Sequence, residues 1–270
     1  MRSQLALLLF FLSSSLFVHN AQGQQEESGF EPNYVTVTTL RGISDFDMDS
    51  WLRLEQEYFD KVTSKIDLIL GHEVLFSYFE PNYTEILLIS VLRSWDDIMA
   101  VNDMREDLIA AAWPDEEERR IFFERQNSYY NSQHSDEIYL SAELAKEWTR
   151  DDRREQPYVF LMDTSILSDY VNYDAYDNYK QYVEQVIHQD PNLLGYLPYR
   201  HFWGADSREF VEVYIFNSPE AMIKHKASKQ QLLQEMIPEE SDRKLFMNSI
   251  YSAIESKRSA IYTNVPSLSK

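Results

Sequence analysis

The sequence predicts an α+β chain in which one β-α-β-β-α-β unit occurs twice, and three observations carry that expectation. The first is an internal repeat. LGHEVLFSYFEPNYTEILLISVLRSWDDIM, from Leu70, aligns with LGYLPYRHFWGADSREFVEVYIFNSPEAMI, from Leu194. The separation of 124 residues that maps Gly71 on Gly195 also maps Tyr34 on Tyr158, Glu85 on Glu209 and Ser94 on Ser218. It carries Pro114 to Pro238 and Phe122 to Phe246, and slips by one only where Ile138-Tyr139 meets Ile261-Tyr262. The second observation is that short apolar runs of strand character alternate with runs of helical periodicity. The third is that turn and capping residues fall at the joins of both copies.

Each element follows in turn. YVTVTT (34–39) and YVFLMDT (158–164) read as opening strands. A helix follows each: Trp51, Leu54, Tyr58, Val62 and Ile66 recur at helical spacing, as do Tyr176, Tyr179, Val183, Val186 and Ile187. A hairpin comes next, turning at Glu80-Pro81-Asn82 in one copy and at Gly204-Ala205-Asp206 in the other. Ser94 and Ser218 are suited to cap a short helix, and Pro219 to open one. A longer helix is expected after Pro114 and after Pro238, with acidic residues at its positive end. Last strands hold Ile138-Tyr139 and Ile261-Tyr262. This order is the ferredoxin-like split βαβ arrangement. The units span 34–141 and 158–266, joined by a charged linker at 142–157.

Residues 1–23 read as a signal peptide: Arg2 precedes an apolar run from Leu5 to Val18, and Ala21-Gln22-Gly23 suits cleavage. Residues 24–33 are a polar, flexible tail. The protein is therefore expected to be secreted or periplasmic. No later run reaches the length of a membrane span, so no membrane partner is expected. The absence of cysteine excludes disulfides, thiolate metal sites and a cysteine nucleophile. With 45 acidic against 25 basic residues the formal net charge is −20, which disfavours nucleic acid as a partner. Asn82-Tyr83-Thr84 is a glycosylation sequon, relevant to a eukaryotic source.

Tyrosines stand at every third position from Tyr170 to Tyr182. On a helix each falls about 60° behind the last, so the five smear round the axis and form no single face. The expectation is packing, with Tyr176 and Tyr179 in the buried stripe.

The segment from Gly195 to Ser228 resembles the dimeric α/β-barrel superfamily, in particular its antibiotic-biosynthesis-monooxygenase-like branch. The resemblance rests on the glycine before the second strand, the hairpin of Tyr199–Trp203 with Glu209–Phe216, and Ser218-Pro219-Glu220-Ala221-Met222 leading to His225. It implies two ferredoxin-like sheets packed face to face, here as an intramolecular α/β barrel, a monomer acting as a pseudo-dimer. It also implies a cofactor-independent monooxygenase chemistry as one possible activity. His225 stands where haem-degrading relatives keep an iron-ligating histidine. Those relatives add a tryptophan near the end of the preceding strand, where this chain has Phe216-Asn217, so no cofactor is expected.

For the interior, Leu87, Ile89, Val91 and Val211, Val213, Ile215 are assigned to the helix side of the sheets, as aliphatic rows. If the hairpin pairs Trp203 with Arg208, the other parity lines the barrel. The second copy then contributes Tyr199, His201, Trp203, Phe210, Glu212 and Tyr214, a ligand-binding candidate in which His201 and Glu212 are diagonal neighbours. The first copy contributes Leu75, Ser77, Phe79, Ile86, Leu88 and Ser90. Secondary candidates are His225 and the loop pair His134 and Asp136; no metal site is expected. The expected function is an exported small-molecule-binding or accessory protein that takes an apolar or aromatic ligand. The alternatives are a monooxygenase-like enzyme using the same cavity, haem binding as the least favoured of them, or a barrel simply filled by its own side chains.

Overall fold

Every second residue of a strand faces the same way, so the pairing of the strands decides which side chains share an enclosure. The computed structural model describes residues 30–43, 47–78, 85–148, 156–169 and 173–270. The leader and most of the tail, the Glu80-Pro81-Asn82 turn with its sequon, Tyr170 and residues 149–155 of the linker lie outside them.

The first half runs β1 (Tyr34–Gly42), α1 (Met48–Lys61), β2 (Gly71–Ser77), β3 (Glu85–Leu92), α2 (Trp95–Ala112), α3 (Glu116–Asn127) and β4 (Tyr130–Ser141). The second half runs β5 (Val159–Leu167), α4 (Tyr173–Tyr182), β6 (Gly195–Trp203), β7 (Glu209–Phe216), α5 (Pro219–Met236), α6 (Glu240–Tyr251) and β8 (Ile254–Asn264). The eight strands close into one antiparallel barrel in the order β1-β3-β2-β8-β5-β7-β6-β4. Closure depends on two short ladders, β2 with β8 from Leu75↔Asn264 to Ser77↔Tyr262, and β4 with β6 from Ser141↔Tyr199 to Ile138↔Trp203.

Local chemistry explains the helix starts. The Ser94 and Ser218 hydroxyls accept from Asp97 N and Ala221 N, each at 3.2 Å. Asp115 accepts from Glu117 N and Glu118 N, and the acidic first turn of α3 faces its positive end. The helix lengths reverse the expectation: α2 and α5 have 18 residues, α3 and α6 have 12. β4 is also longer than expected, so His134 and Asp136 stand on a strand rather than in a loop. In α4 and the π-helical turn Val183–Ile187 that continues it, Ala175, Val183, Val186 and Ile187 are buried with Tyr179 and Tyr182 packed beside them, whereas Tyr176 is 56% exposed and leaves the predicted stripe. The described start of the linker is tied down: Lys146 pairs with Tyr196, and Trp148 packs edge-on against Tyr158 and Phe160. Among the described residues no helix is long and apolar enough to cross a membrane.

The barrel wall corrects the predicted register. β6 pairs with β7 as Tyr199↔Val211 and Leu197↔Val213, not Tyr199↔Glu212, and β2 pairs with β3 as Leu75↔Leu87. The cause in the second hairpin is an odd connection of five residues, 204–208, which begins at Gly204 with φ +143. A one-residue slip moves a whole row to the other face. The aliphatic rows Leu87, Ile89, Val91 and Val211, Val213, Ile215 therefore line the barrel, while Ile86, Leu88, Ser90, Phe210, Glu212 and Tyr214 face the helices.

A chain without cysteine allows a direct check of this register. Opposed antiparallel residues lie about 4.5–5.5 Å apart at Cα, within the span of a disulfide. Tyr199→Cys with Val211→Cys should crosslink on mild oxidation, and Tyr199→Cys with Glu212→Cys should keep both thiols free in a thiol titration. The opposite result would restore the other register.

Candidate functional site

The inward rows enclose a cavity of about 700 Å³. Its belt is aliphatic, with Val37, Leu87 and Ile89 facing Met162, Val211 and Val213. One mouth lies at the C-terminal ends of β1 and β5, where the β6–β7 hairpin turns; it carries Arg41, Glu85, Glu137, Glu209 and Arg258. The other holds Gly71, Trp148 and Lys270. The volume lies within the roughly 300–1,000 Å³ of small-molecule sites, as does the pattern of an apolar wall with few polar groups.

At the charged mouth two tyrosines each donate to a glutamate at the start of a hairpin strand. Tyr139 OH donates to Glu209 Oε2 at 2.9 Å, and Tyr262 OH to Glu85 Oε1 at 2.6 Å. Burial, and then the Glu209 charge, raises the Tyr139 pKa, so the phenol remains a donor. His201 Nε2 lies 3.0 Å from Glu137 Oε2, which also accepts from Ala205 N at 3.1 Å. Arg258 reaches Glu209 Oε1 at 3.4 Å. Inside, burial raises the pKa of Tyr199, whose hydroxyl lines the cavity without a hydrogen bond among the described residues.

The predicted set is thus divided between two faces. Tyr199 lines the cavity; His201 does not, but it bonds Glu137, which does, and its ring stands edge-on to Tyr139. A register shift in the β4–β6 ladder between Ile138 and Tyr139 turns Trp203 away; it is 57% exposed and borders a separate small cavity beside Ile138 and Val101. Phe210 packs edge-on against Tyr179, outside the barrel. Glu212 lies beneath α4, where its Oε1 accepts from Tyr196 at 2.6 Å and Tyr214 at 3.1 Å, with Lys257 3.6 Å from Oε2. His201 and Glu212 are on opposite faces and do not form a pair. The tyrosine-rich helix helps to satisfy this buried carboxylate, since Tyr179 also bonds the Tyr196 hydroxyl at 2.5 Å. Sequence reasoning missed Glu137, Tyr139, Glu209 and Arg258. The repeat contained a signal for them, because it maps Glu85 on Glu209 and brings Tyr139 to Tyr262.

The secondary candidates stand elsewhere. His134 and Asp136 form an exposed pair at 3.3 Å on β4, and Thr38 Oγ1 donates to Asp136 at 2.7 Å. His225 on α5 is buried, with Nδ1 bonded to Asp190. Among the described residues its Nε2 has no partner, as an axial ligand would require, yet the ring packs against Tyr214 and Phe216 and lines none of the three cavities. Haem does not fit there. A further cavity of about 720 Å³ lies between α1, α3 and the outer face of β1–β3. It includes His72, whose pKa burial pushes down to about 4, aided by Arg105.

No family model and no curated protein matches the chain. Solved structures do. A provisional monooxygenase of Fusobacterium nucleatum matches with TM-score 0.59 and 9% identity, covering 87% of this chain and 94% of its own. An anthrone oxidase-like protein matches with TM-score 0.54 and 10% identity, over 87% and 92%. Chlorite dismutase of Candidatus Nitrospira defluvii matches with TM-score 0.51 and 11% identity, also over 87% and 92%. The chain has the ferredoxin-like α+β barrel fold. At these identities the likeness extends to the fold alone.

Because Glu212 belongs to the helix side, its loss should affect stability and not the cavity. Glu212→Ala leaves buried phenols without an acceptor, and urea unfolding should show a loss of about 1–3 kcal/mol. Glu212→Gln, which keeps an acceptor, should lose clearly less. Equal stability of the parent and Glu212→Ala would show that the network is not closed as described.

Proposed function

We propose that the protein is an exported small-molecule-binding barrel whose interior takes an apolar or aromatic ligand, with the polar end of that ligand at the charged mouth. The observation that carries this reading is the open interior: an aliphatic belt around about 700 Å³, with Tyr199 on its wall and carboxylates and arginines at its mouth. Apolar area removed from water contributes roughly 25 cal/mol per Å², so such a wall favours a ligand with little polar surface. Glu137 and Arg258 at the mouth, with Tyr199 further in, would orient it. The two halves are read as tandem copies of one ferredoxin-like unit, on the 124-residue repeat and the twice-run element order, so that one chain makes the whole barrel as a pseudo-dimer.

A second reading, a monooxygenase-like enzyme, is favoured by one local feature. His201 stands 3.0 Å from Glu137, a cavity-lining carboxylate to which a phenolic or enolic hydroxyl of a bound ligand could lose its proton. The names of the structural neighbours agree with that class at the level of fold. In this reading the protein would supply a base, an oriented substrate and an apolar enclosure.

Both readings are tested with a panel of anthrones and hydroquinones. Binding is followed by fluorescence through Trp148 at the opposite mouth, with Trp148→Phe as the control for the signal. Val213→Trp should fill the belt and weaken binding at least about tenfold, which is about 1.4 kcal/mol, whereas Phe210→Ala should bind as the parent does. Loss of binding in Phe210→Ala, with Val213→Trp unaffected, would place the ligand outside the barrel. Oxygen uptake with the same panel separates the two readings. Uptake lost in His201→Asn and kept in His134→Asn supports the enzyme, and binding without uptake supports the carrier.

A further inference from the structure

Three donors from three strands converge at the charged mouth: Glu137 of β4, His201 of β6 and Glu209 of β7. One ligand atom of each lies within 4.8 Å of the others. Carboxylates in proximity are common on acidic surfaces, so the cluster alone does not indicate a ligand. Two independent features set this one apart.

The first is the enclosure of the imidazole. The His201 side chain is 2% exposed, against 17% for Glu137 and 14% for Glu209. Among the described residues neither ring nitrogen has a partner outside the cluster: Nε2 is aimed at Glu137, and Nδ1 is buried with none. No described partner outside the cluster fixes the tautomer, so Nε2 can carry the lone pair that a cation needs. The second feature is the backbone around it. Gly204 turns with φ +143 directly over the cluster, and a Cβ there would stand 1.4 Å from Glu137 Oε2 and 2.8 Å from His201 Nε2. The Ala205 N–H then fixes Glu137 from the outer side. The hairpin is therefore shaped to the donors, and its first residue must be glycine.

We propose that Glu137, His201 and Glu209 form a site for a divalent cation at this mouth. The donor set of one imidazole and two carboxylates suits a borderline to hard ion such as Zn²⁺, Co²⁺ or Mn²⁺. Ligand bonds of about 2.0–2.2 Å require the three donors to draw together, a shift that side-chain rotation supplies. The existing contacts fit that role. Tyr139 holds Glu209 from the cavity wall, and Arg258, 77% exposed, makes only a 3.4 Å contact that it can release. Glu137 and Glu209 both line the interior, so the site borders the cavity. The site goes beyond ligand binding in the barrel, and its test needs no organic ligand. It also departs from the sequence-based expectation that no metal is bound.

The experiment is a titration of the full chain with Co²⁺ alone, followed by calorimetry and by the visible d–d spectrum, in about 0.15 M salt to screen the surface charge. The expected result is one equivalent bound, with a d–d band distinct from that of the aqueous ion. His201→Asn and Glu209→Gln should each abolish that band and weaken binding at least about tenfold, as loss of a metal-ligating group does. Asp206→Asn at the hairpin tip should leave both unchanged. Far-ultraviolet circular dichroism establishes that each variant is folded, and Zn²⁺ competition against bound Co²⁺ in the parent gives a second readout without mutation. Weak binding of several equivalents that is insensitive to His201→Asn would overturn the proposal. So would no binding at all, which would leave the cluster as an ion network closed by Arg258.

Discussion

Closure of the sheet commits half of all strand side chains to a space that no helix can reach. The β2–β8 and β4–β6 ladders, only a few residue pairs each, turn two four-stranded sheets into one wall. Once they form, a residue faces either the interior or the helices, with nothing between. The interior receives the branched aliphatic row, and the outer face receives the larger, more polar row that α4 and α5 can cover. That division follows from shape: tyrosine and glutamate on the outer face find hydroxyls, lysines and helix side chains as partners, whereas valine and leucine need none.

Charge in the interior is confined to its ends. The belt contributes apolar surface with only the hydroxyls of Tyr199 and Thr164, and carboxylates gather at the mouth where Glu85 and Glu209 open β3 and β7. Each of these carboxylates accepts from a tyrosine on a last strand, so the same contact recurs at both hairpins with partners from opposite halves of the chain. What differs between them is the addition of His201 and Glu137 on one side. An otherwise repeated pattern with one local elaboration is where specific chemistry is most economically sought.

The order of elements was legible because it is written in local signals: serine caps, prolines beyond helix ends, and a glycine at the start of β2 and β6. The facing of the strands was not. Both rows of β7 are apolar in part, Val211 and Val213 against Phe210 and Tyr214, so alternation gives no direction. The register then rested on the hairpin length, and composition does not separate a four-residue turn from the five residues that follow Trp203. That single residue moved Glu212 from the predicted site to the helix side and left His201 with Glu137 instead. Tyr199 kept its inward place because β6 was assigned the correct parity there, whereas β7 was not. The repeat could have indicated the mouth, since Glu85 and Glu209 correspond, but a glutamate opening a strand reads as surface until closure is known.

The central claim is that the aliphatic rows enclose an open, apolar barrel interior. Xenon occupies apolar cavities without needing a polar partner, and crystals pressurised with it report such space directly by anomalous scattering. Xenon between Leu87 of β3 and Val213 of β7, absent in a Val213→Trp crystal, is the predicted result. Xenon found only between the sheet and the helices, with the interior filled by Phe210 and Tyr214, would contradict the account at its foundation.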